Sequence, residues 1–142
     1  MIRLAAALCL AAVTSFAHAE RAEKFGNLEV HYNAISTEDL SPEVARAYKI
    51  DRSKTRGLVT MSVLKKNGPG MGTPLPARLK VLLVNQTQQL ADIPMREVRD
   101  GKAIYYLGEF RIAPPDTLRF TATVDLKGEP TREVKFEQKF YK

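Results

Sequence analysis

The chain has 142 residues and a formal net charge of +6, from 22 Lys and Arg against 16 Asp and Glu. This length predicts a single domain with room for a substantial core, and the excess of cations indicates a basic surface. The single Cys excludes an internal disulfide, and the two His restrict the metal and acid–base chemistry that the chain can support.

The first 19 residues have the pattern of a secretory signal peptide. An uncharged, largely apolar run at 4–16 is followed by Ala17-His18-Ala19, the small-x-small pattern that precedes a cleavage site. The run is shorter than the ~20 apolar residues of a membrane span, so we predict no transmembrane segment. We expect cleavage after Ala19, export to the periplasm, and one domain over residues 20–142 that retains one His and no Cys.

The first part of the mature chain contains a strand and the one predicted helix. Residues 20–24 are charged and are expected to fray. Residues 28–34 alternate apolar and polar side chains, which is typical of a half-buried strand. At Ser41 an N-cap residue is followed by a proline and an acid suited to a first helical turn, which predicts a helix over 42–48.

Six more strands follow, and turn signals separate them. Pro94 pushes the third of these, a weaker pattern, toward a sheet edge. Asp100-Gly101 favours a type I′ hairpin, and the Gly- and Pro-rich stretch 67–76 is a loop. We predict these strands at 56–66, 77–84, 88–99, 102–112, 118–126 and 134–140.

This element pattern predicts an all-β protein. About seven strands with one short helix fit a single Ig-like antiparallel β-sandwich. A small β-barrel is the alternative.

The residue inventory of the mature chain excludes several chemistries. Without Cys there is no thiol catalysis, iron–sulfur cluster or thiolate zinc site, and one His cannot supply a two-His metal site. A Ser-His-Asp triad would have to use His31, yet the sequence has no Gly-x-Ser-x-Gly motif. We therefore predict no cofactor and no resident metal, and we favour binding over catalysis.

Five cations cluster in one segment that contains a single acid, Asp51. Such a segment either binds an anion, for example a phosphate-bearing head group or an acidic partner, or forms a solvated surface. Nucleic acid is not an expected partner of an exported domain, and aromatic residues are not interleaved with these cations as stacking platforms. The candidate anion-binding residues are Arg46, Lys49, Arg52, Lys54 and Arg56.

Two short motifs resemble a known family. They are His31-Tyr32-Asn33-Ala34 and Ala47-Tyr48-x-Ile50-x-Arg52-Ser53. The mature chain is similar over essentially its whole length to an uncharacterised, domain-of-unknown-function family of short secreted proteobacterial proteins. The resemblance implies a periplasmic β-sandwich module with no assigned activity, and it supplies no catalytic residues.

The same motifs direct attention to a polar group of side chains. His31 and Asn33 share one face of the first predicted strand, and the residues after the helix can return to that strand. These groups either line a ligand pocket or satisfy the backbone and one another in the connecting loop. The candidate pocket residues are His31, Asn33, Tyr48, Arg52 and Ser53.

Together these features predict a non-catalytic periplasmic binding or accessory module. It would engage an envelope protein or an anionic envelope component through an exposed sheet edge or the basic surface. One alternative is a small hydrolase with His31 as general base, which requires that His31 lie in a concave site near a Ser, Thr or carboxylate. Another is a small-ligand or copper carrier that combines His31 with the thioethers of Met61, Met71 and Met95.

Overall fold

The computed structural model describes residues 21–70 and 72–142, so the predicted signal peptide lies outside the described residues. It contains one α-helix, α1 (Pro42–Ala47), and a 3-10 turn at Thr37–Asp39. The strands are β1 (Arg21–Phe25), β2 (Leu28–Ser36), β3 (Arg56–Lys65), β4 (Thr73–Pro74), β5 (Arg78–Val84), β6 (Leu90–Ile93), β7 (Arg96–Asp100), β8 (Ala103–Arg111), β9 (Asp116–Asp125) and β10 (Arg132–Phe140).

These strands form two separate antiparallel sheets. The first has the order β1-β2-β3-β8-β7, with β4 beside the end of β3, and the second has the order β10-β9-β5-β6. The predicted β-sandwich and its single short helix are confirmed. Within the described residues, no helix is long and apolar enough to cross a membrane.

The core lies between the two sheets and follows from the period-two alternation of the strands. Val59 and Met61 of the first sheet are almost fully buried, as are Phe120 and Val124 of the second. Phe120 also stacks on Phe136 with ring centroids 4.8 Å apart. Burial of each large apolar side chain contributes about 1.5–3 kcal/mol, which allows a domain without disulfides to fold.

A second apolar cluster lies on the outer face of the first sheet. Ile50, from the segment after α1, packs there with Leu58 of β3 and Leu107 of β8, and Tyr48 packs against them. The residues that follow the helix therefore cover one part of that face and hold the cationic segment against the sheet.

Residues 21–24, part of the stretch predicted to fray, lie in the first strand. The guanidinium of Arg21 donates to the carbonyl of Glu137 at 3.0 Å and lies 5.2 Å from the ring centroid of Tyr32 and 5.1 Å from that of Phe136. These contacts join β1 and β10 across the side of the sandwich. This charged stretch forms a strand because it pairs with β2 along its whole length, and the contacts of Arg21 with β10 add to that pairing.

Residues 88–99, predicted as one weak strand, form two strands in different sheets. β6 pairs with β5 in the second sheet and β7 pairs with β8 in the first. Pro94 lies in the crossover between them, and because it has no N–H it cannot continue a ladder. This split and the short strands β1 and β4 explain why the structure has more strands than the predicted seven.

The hairpin predicted at Asp100-Gly101 is present, but the turn is of another type. Asp100 pairs with Ala103, so the two loop residues are Gly101 and Lys102. Gly101 has a φ of 58°, whereas Lys102 is not at positive φ. A type I′ turn needs positive φ at both central residues, so the type I′ assignment is wrong.

Candidate anion-binding site

The segment between β2 and β3 carries most of the predicted site residues and is tied down by its own polar groups. The hydroxyl of Thr37 accepts from the Ser53 N–H at 2.9 Å and donates to the Ser53 carbonyl at 3.1 Å. Arg52 Nη2 donates to the Glu38 carbonyl at 3.0 Å. These bonds join the two ends of the segment, so α1 is presented on a closed loop.

The end of α1 is a Schellman motif. Ile50 N–H donates to the Ala45 carbonyl at 2.8 Å, and Lys49 N–H donates to the Arg46 carbonyl at 3.3 Å. Lys49 adopts the left-handed conformation that this motif requires, with a φ of 56°. Glycine is the usual residue at that position because a Cβ is unfavourable there.

Three of the five predicted cations surround one concavity. Arg46, Lys49 and Arg52 line a depression of about 470 Å³, in which Asp51 is the one acidic residue. All three cations are exposed, and the buried residues Ala45 and Ile50 also line the depression. We refer to this feature, defined by Arg46, Lys49 and Arg52, as the α1 concavity.

A further cation that the sequence analysis did not identify lies beside the α1 concavity. The guanidinium of Arg96, from β7, donates to the carbonyl of Tyr48 at the end of the helix. Arg96 is 48 residues away from Tyr48 in the chain, and it lies in an edge strand in which every residue except Val98 is charged. No local sequence signal distinguishes it from the other surface arginines.

The other two predicted cations lie elsewhere. Lys54 lines a groove at one end of the sandwich together with the acids Glu38 and Asp39. Arg56 Nη2 lies 3.3 Å from Glu109 Oε1 in an exposed ion pair. The five cations that are close in sequence are therefore divided among three surfaces.

His31 lies on the outer face of the first sheet and contacts an acid on its own strand. Its Nε2 atom is 2.8 Å from Glu29 Oε1, and Lys66 Nζ is 3.9 Å from the other oxygen of that carboxylate. Across the sheet, His31 is paired with Ser62 of β3. The histidine thus belongs to a polar row with a carboxylate and a hydroxyl group.

The structure separates the two halves of the predicted polar pocket. His31 lies five residues before the end of β2, which corresponds to roughly 17 Å along the strand, whereas Arg52 and Ser53 bond to the turn beyond that end. Asn33 accepts a hydrogen bond from the N–H of Ala34. Tyr48 packs in the second apolar cluster.

The residues proposed for a copper site are dispersed. Met61 is 1 % exposed in the core and Met95 packs against Gly108, whereas Met71 lies outside the described residues. Over 21–70 and 72–142, no group of three or more His, Cys, Asp or Glu side chains is placed to hold a metal ion.

The fold and site define a class of protein: a two-sheet antiparallel β-sandwich that presents a cationic concavity against the outer face of one sheet. The chain belongs to the family described as Domain of unknown function (DUF4426), whose model matches residues 22–142. This membership confirms the resemblance drawn from the two short motifs. No curated protein matches the chain.

Solved structures with the same fold include a relative from that family. The crystal structure of a DUF4426 family protein from Pseudomonas aeruginosa PAO1 is 32 % identical, with a TM-score of 0.72, and the match covers 86 % of this chain and 94 % of that one. The sandwich architecture and the family assignment therefore agree.

Two structures of FetP from uropathogenic Escherichia coli strain F11 share the fold at lower identity. FetP expressed in the periplasm of E. coli BL21(DE3) is 12 % identical, with a TM-score of 0.61, over 86 % of this chain and 93 % of that one. A copper-bound variant of FetP is 14 % identical, with a TM-score of 0.61, over 86 % and 95 %. At these identities the likeness shows a common fold.

Proposed function

We propose that this chain is a non-catalytic periplasmic binding module that engages an anionic envelope component through the α1 concavity. The observation that carries the proposal is the conformation of Lys49. A residue with a Cβ in the left-handed region costs about 1 kcal/mol relative to glycine. A lysine at this position places an exposed ammonium group on the rim of the concavity in spite of that cost.

The charges around Lys49 support the same conclusion. Arg46 and Arg52 line the concavity with it against the single acid Asp51, and a fourth cation, Arg96, donates to the carbonyl of Tyr48 at the end of the helix. Cations also interact favourably with a helix C-terminus, but α1 has six residues and its dipole is correspondingly small. A bound anion offsets the mutual repulsion of these groups and gains charge-assisted hydrogen bonds.

The envelope location rests on the signal-peptide pattern of residues 1–19. In that compartment the anionic groups available at a membrane surface are phosphate-bearing head groups, for which guanidinium groups provide paired donors. The proposed ligand class is therefore an anionic phospholipid head group rather than a nucleic acid.

Co-sedimentation with vesicles tests this function. The mature domain is expected to sediment with phosphatidylglycerol vesicles and not with phosphatidylcholine vesicles, and the bound fraction falls as salt is raised. A variant with Arg46→Gln, Lys49→Gln and Arg52→Gln is expected to lose binding. Competition by inorganic phosphate at low millimolar concentration would identify the free anion as the ligand. Equal sedimentation of the variant and the unaltered domain would contradict the proposal.

A copper carrier is the second candidate, and the observation in its favour is the contact of His31 with Glu29 in a fold shared with copper-bound FetP. These two side chains supply one imidazole and one carboxylate, and Lys66 lies beside the same carboxylate. A cation at that distance competes with a metal ion for the oxygen atoms. The geometry therefore supports anion binding better than copper binding.

The hydrolase hypothesis requires that His31 have a Ser, Thr or carboxylate neighbour and that it lie in a concave site, and the first of these requirements is met. Glu29 gives His31 a carboxylate neighbour, and Ser62 lies opposite on β3. His31 does not line the α1 concavity or the groove at the end of the sandwich, and Ser62 is 8 % exposed. A nucleophile with so little exposure offers no room for a substrate, so we favour the non-catalytic function.

A further inference from the structure

The four sheet edges of the described domain differ in how they are protected. β1, β7 and β10 each carry three or more charged side chains, which discourage pairing with another chain. β6 has the sequence Leu-Ala-Asp-Ile with one charge, and Leu90 at its start is 66 % exposed. β6 is therefore the least protected of these edges.

A second uncovered edge faces β6 from the other sheet. β7 pairs with Ala103–Leu107 of β8 and no further. The crossover then passes over Gly108, where a Cβ would lie 2.4 Å from Met95 Sδ. Beyond this point, Glu109–Arg111 pair with β3 on one side and have no strand on the other.

The hydrogen-bond pattern shows which backbone groups of β8 are left over. In an antiparallel strand the N–H and C=O of one residue point to the same side, and successive residues alternate. Ile112 N–H donates to the Thr55 carbonyl on the β3 side, so the backbone groups of Phe110 point there too. The N–H and C=O groups of Glu109 and Arg111 consequently point away from β3, to the uncovered side.

The same reasoning applies to β6. Asn85 N–H donates to the Gln89 carbonyl across the β5–β6 hairpin, so the bonding alternates from that pair onward. The backbone groups of Ala91 point to β5, and those of Leu90 and Asp92 point outward. The edge of β6 and the uncovered end of β8 thus each offer the N–H and C=O groups of two residues.

The space between these walls is a groove of about 1040 Å³ with an apolar floor. We call it the edge groove. Its β6 wall is the outer edge of Leu90–Asp92, and its β8 wall is the uncovered edge of Glu109–Arg111. The floor is formed by core side chains that reach the surface at this place, namely Leu83, Phe110, Ile112 and Leu118.

The charges of the β8 wall indicate what the edge groove accepts. Arg111 lies directly opposite Arg56, an arrangement that is unfavourable for like charges. The acids Asp92 and Asp116 also line the groove, but Glu109 forms an ion pair with Arg56 and the described residues form no ion pair with Arg111. A carboxylate placed beside Arg111 would relieve this imbalance and form a bidentate contact.

We propose that the edge groove binds an extended peptide segment that carries a carboxylate, by strand addition to the uncovered end of β8. The peptide backbone pairs with Glu109 and Arg111, one apolar side chain faces the floor, and the carboxylate contacts the Arg111 guanidinium. Strand addition of this type takes affinity from main-chain bonds and specificity from alternate side chains. The site is independent of the α1 concavity.

Selection from a phage-displayed random heptapeptide library tests the proposal. The baits are the mature domain, the variant Arg111→Glu, and the control Lys80→Glu, which alters an exposed cation on the second sheet. We expect the domain and the control to enrich peptides that combine an acid with β-branched residues, and Arg111→Glu to bind them about tenfold more weakly. Circular dichroism confirms that each bait is folded.

A backbone test follows on the selected peptide. Methylation of its alternate amide nitrogens is expected to abolish binding if those amides pair with β8, whereas methylation of the intervening amides leaves binding intact. The proposal would be overturned if no sequence is enriched or if the peptide binds the Arg111→Glu variant equally well. It would also be overturned if decanoate, which has an apolar chain and a carboxylate but no peptide backbone, displaces the peptide.

Discussion

Thr37 and Ser53 exchange two hydrogen bonds through one hydroxyl group, which accepts from the Ser53 N–H and donates to its carbonyl. Thr37 is fully buried and Ser53 is half-buried, so water has little access to either bond. This pair closes the segment that carries α1. The sequence predicts a pocket role for the side chain of Ser53. In the structure it is the Ser53 backbone that acts, because its two bonds to Thr37 hold the cationic segment in place.

The Thr37–Ser53 pair gives the first prediction. Thr37→Val keeps the shape of the side chain but leaves the half-buried Ser53 N–H without its acceptor, whereas the Ser53 carbonyl still accepts from the Arg56 N–H, so we expect a loss of about 1–2 kcal/mol in the free energy of unfolding. Thr37→Ser retains the hydroxyl and is expected to lose less. Urea denaturation measures both, and equal stability of the valine variant and the unaltered domain would show that the pair is not required.

Arg21 is expected to contribute to stability although it is next to the predicted cleavage site. Its guanidinium bonds to β10 and lies over the rings of Tyr32 and Phe136. Arg21→Ala should lower the free energy of unfolding by about 1–2 kcal/mol, and Arg21→Lys should recover part of this because the charge remains without the planar fork. A melting temperature unaffected by Arg21→Ala would show that the contacts of Arg21 with β10 do not stabilise the domain.

Gly57 illustrates a close approach that the fold imposes. A Cβ at this position would lie 2.3 Å from the ring of Phe110, so Gly57→Ala forces a repacking that costs about 1–3 kcal/mol. The double variant with Phe110→Leu should be less destabilised than the sum of the single variants. Additive losses in chemical denaturation would place the two residues out of contact.

Two substitutions of Lys49 are expected to differ in their effect on stability but to weaken binding alike. Lys49→Gly removes the Cβ from a left-handed position and should raise the free energy of unfolding by about 1 kcal/mol. Lys49→Ala removes the same charge but keeps the conformational cost, so it should give no such gain. Both variants should bind phosphatidylglycerol vesicles more weakly. A glycine variant that is less stable than the alanine variant would contradict the assigned backbone conformation.

Local patterns were sufficient for the elements whose partners lie in the same stretch of chain. The helix at 42–48 was predicted from Ser41 and Pro42 and is found at Pro42–Ala47. The strand at 118–126 was predicted from its alternation and is found at Asp116–Asp125. In both, capping or burial is encoded within the segment itself.

Prediction failed where distant contacts decide the structure. The charged residues of β1 give no apolar pattern, yet β1 pairs with β2, and Arg21 is held by the distant Glu137 of β10. The candidate pocket of His31 with Arg52 assumed that the returning segment reaches the middle of β2, but the Thr37–Ser53 pair anchors it beyond the strand end. Arg96 reaches the helix from another strand, which no spacing in the sequence indicates.

Relocation of charge tests the central claim most directly. One variant carries Arg46→Gln, Lys49→Gln and Arg52→Gln together with Asn67→Lys, Gln86→Lys and Ala113→Lys at three exposed positions in separate loops, so its net charge is unchanged. We expect this variant to remain folded and to lose sedimentation with phosphatidylglycerol vesicles, because binding requires the α1 concavity. Sedimentation equal to that of the unaltered domain would show that overall charge is sufficient and would contradict the account.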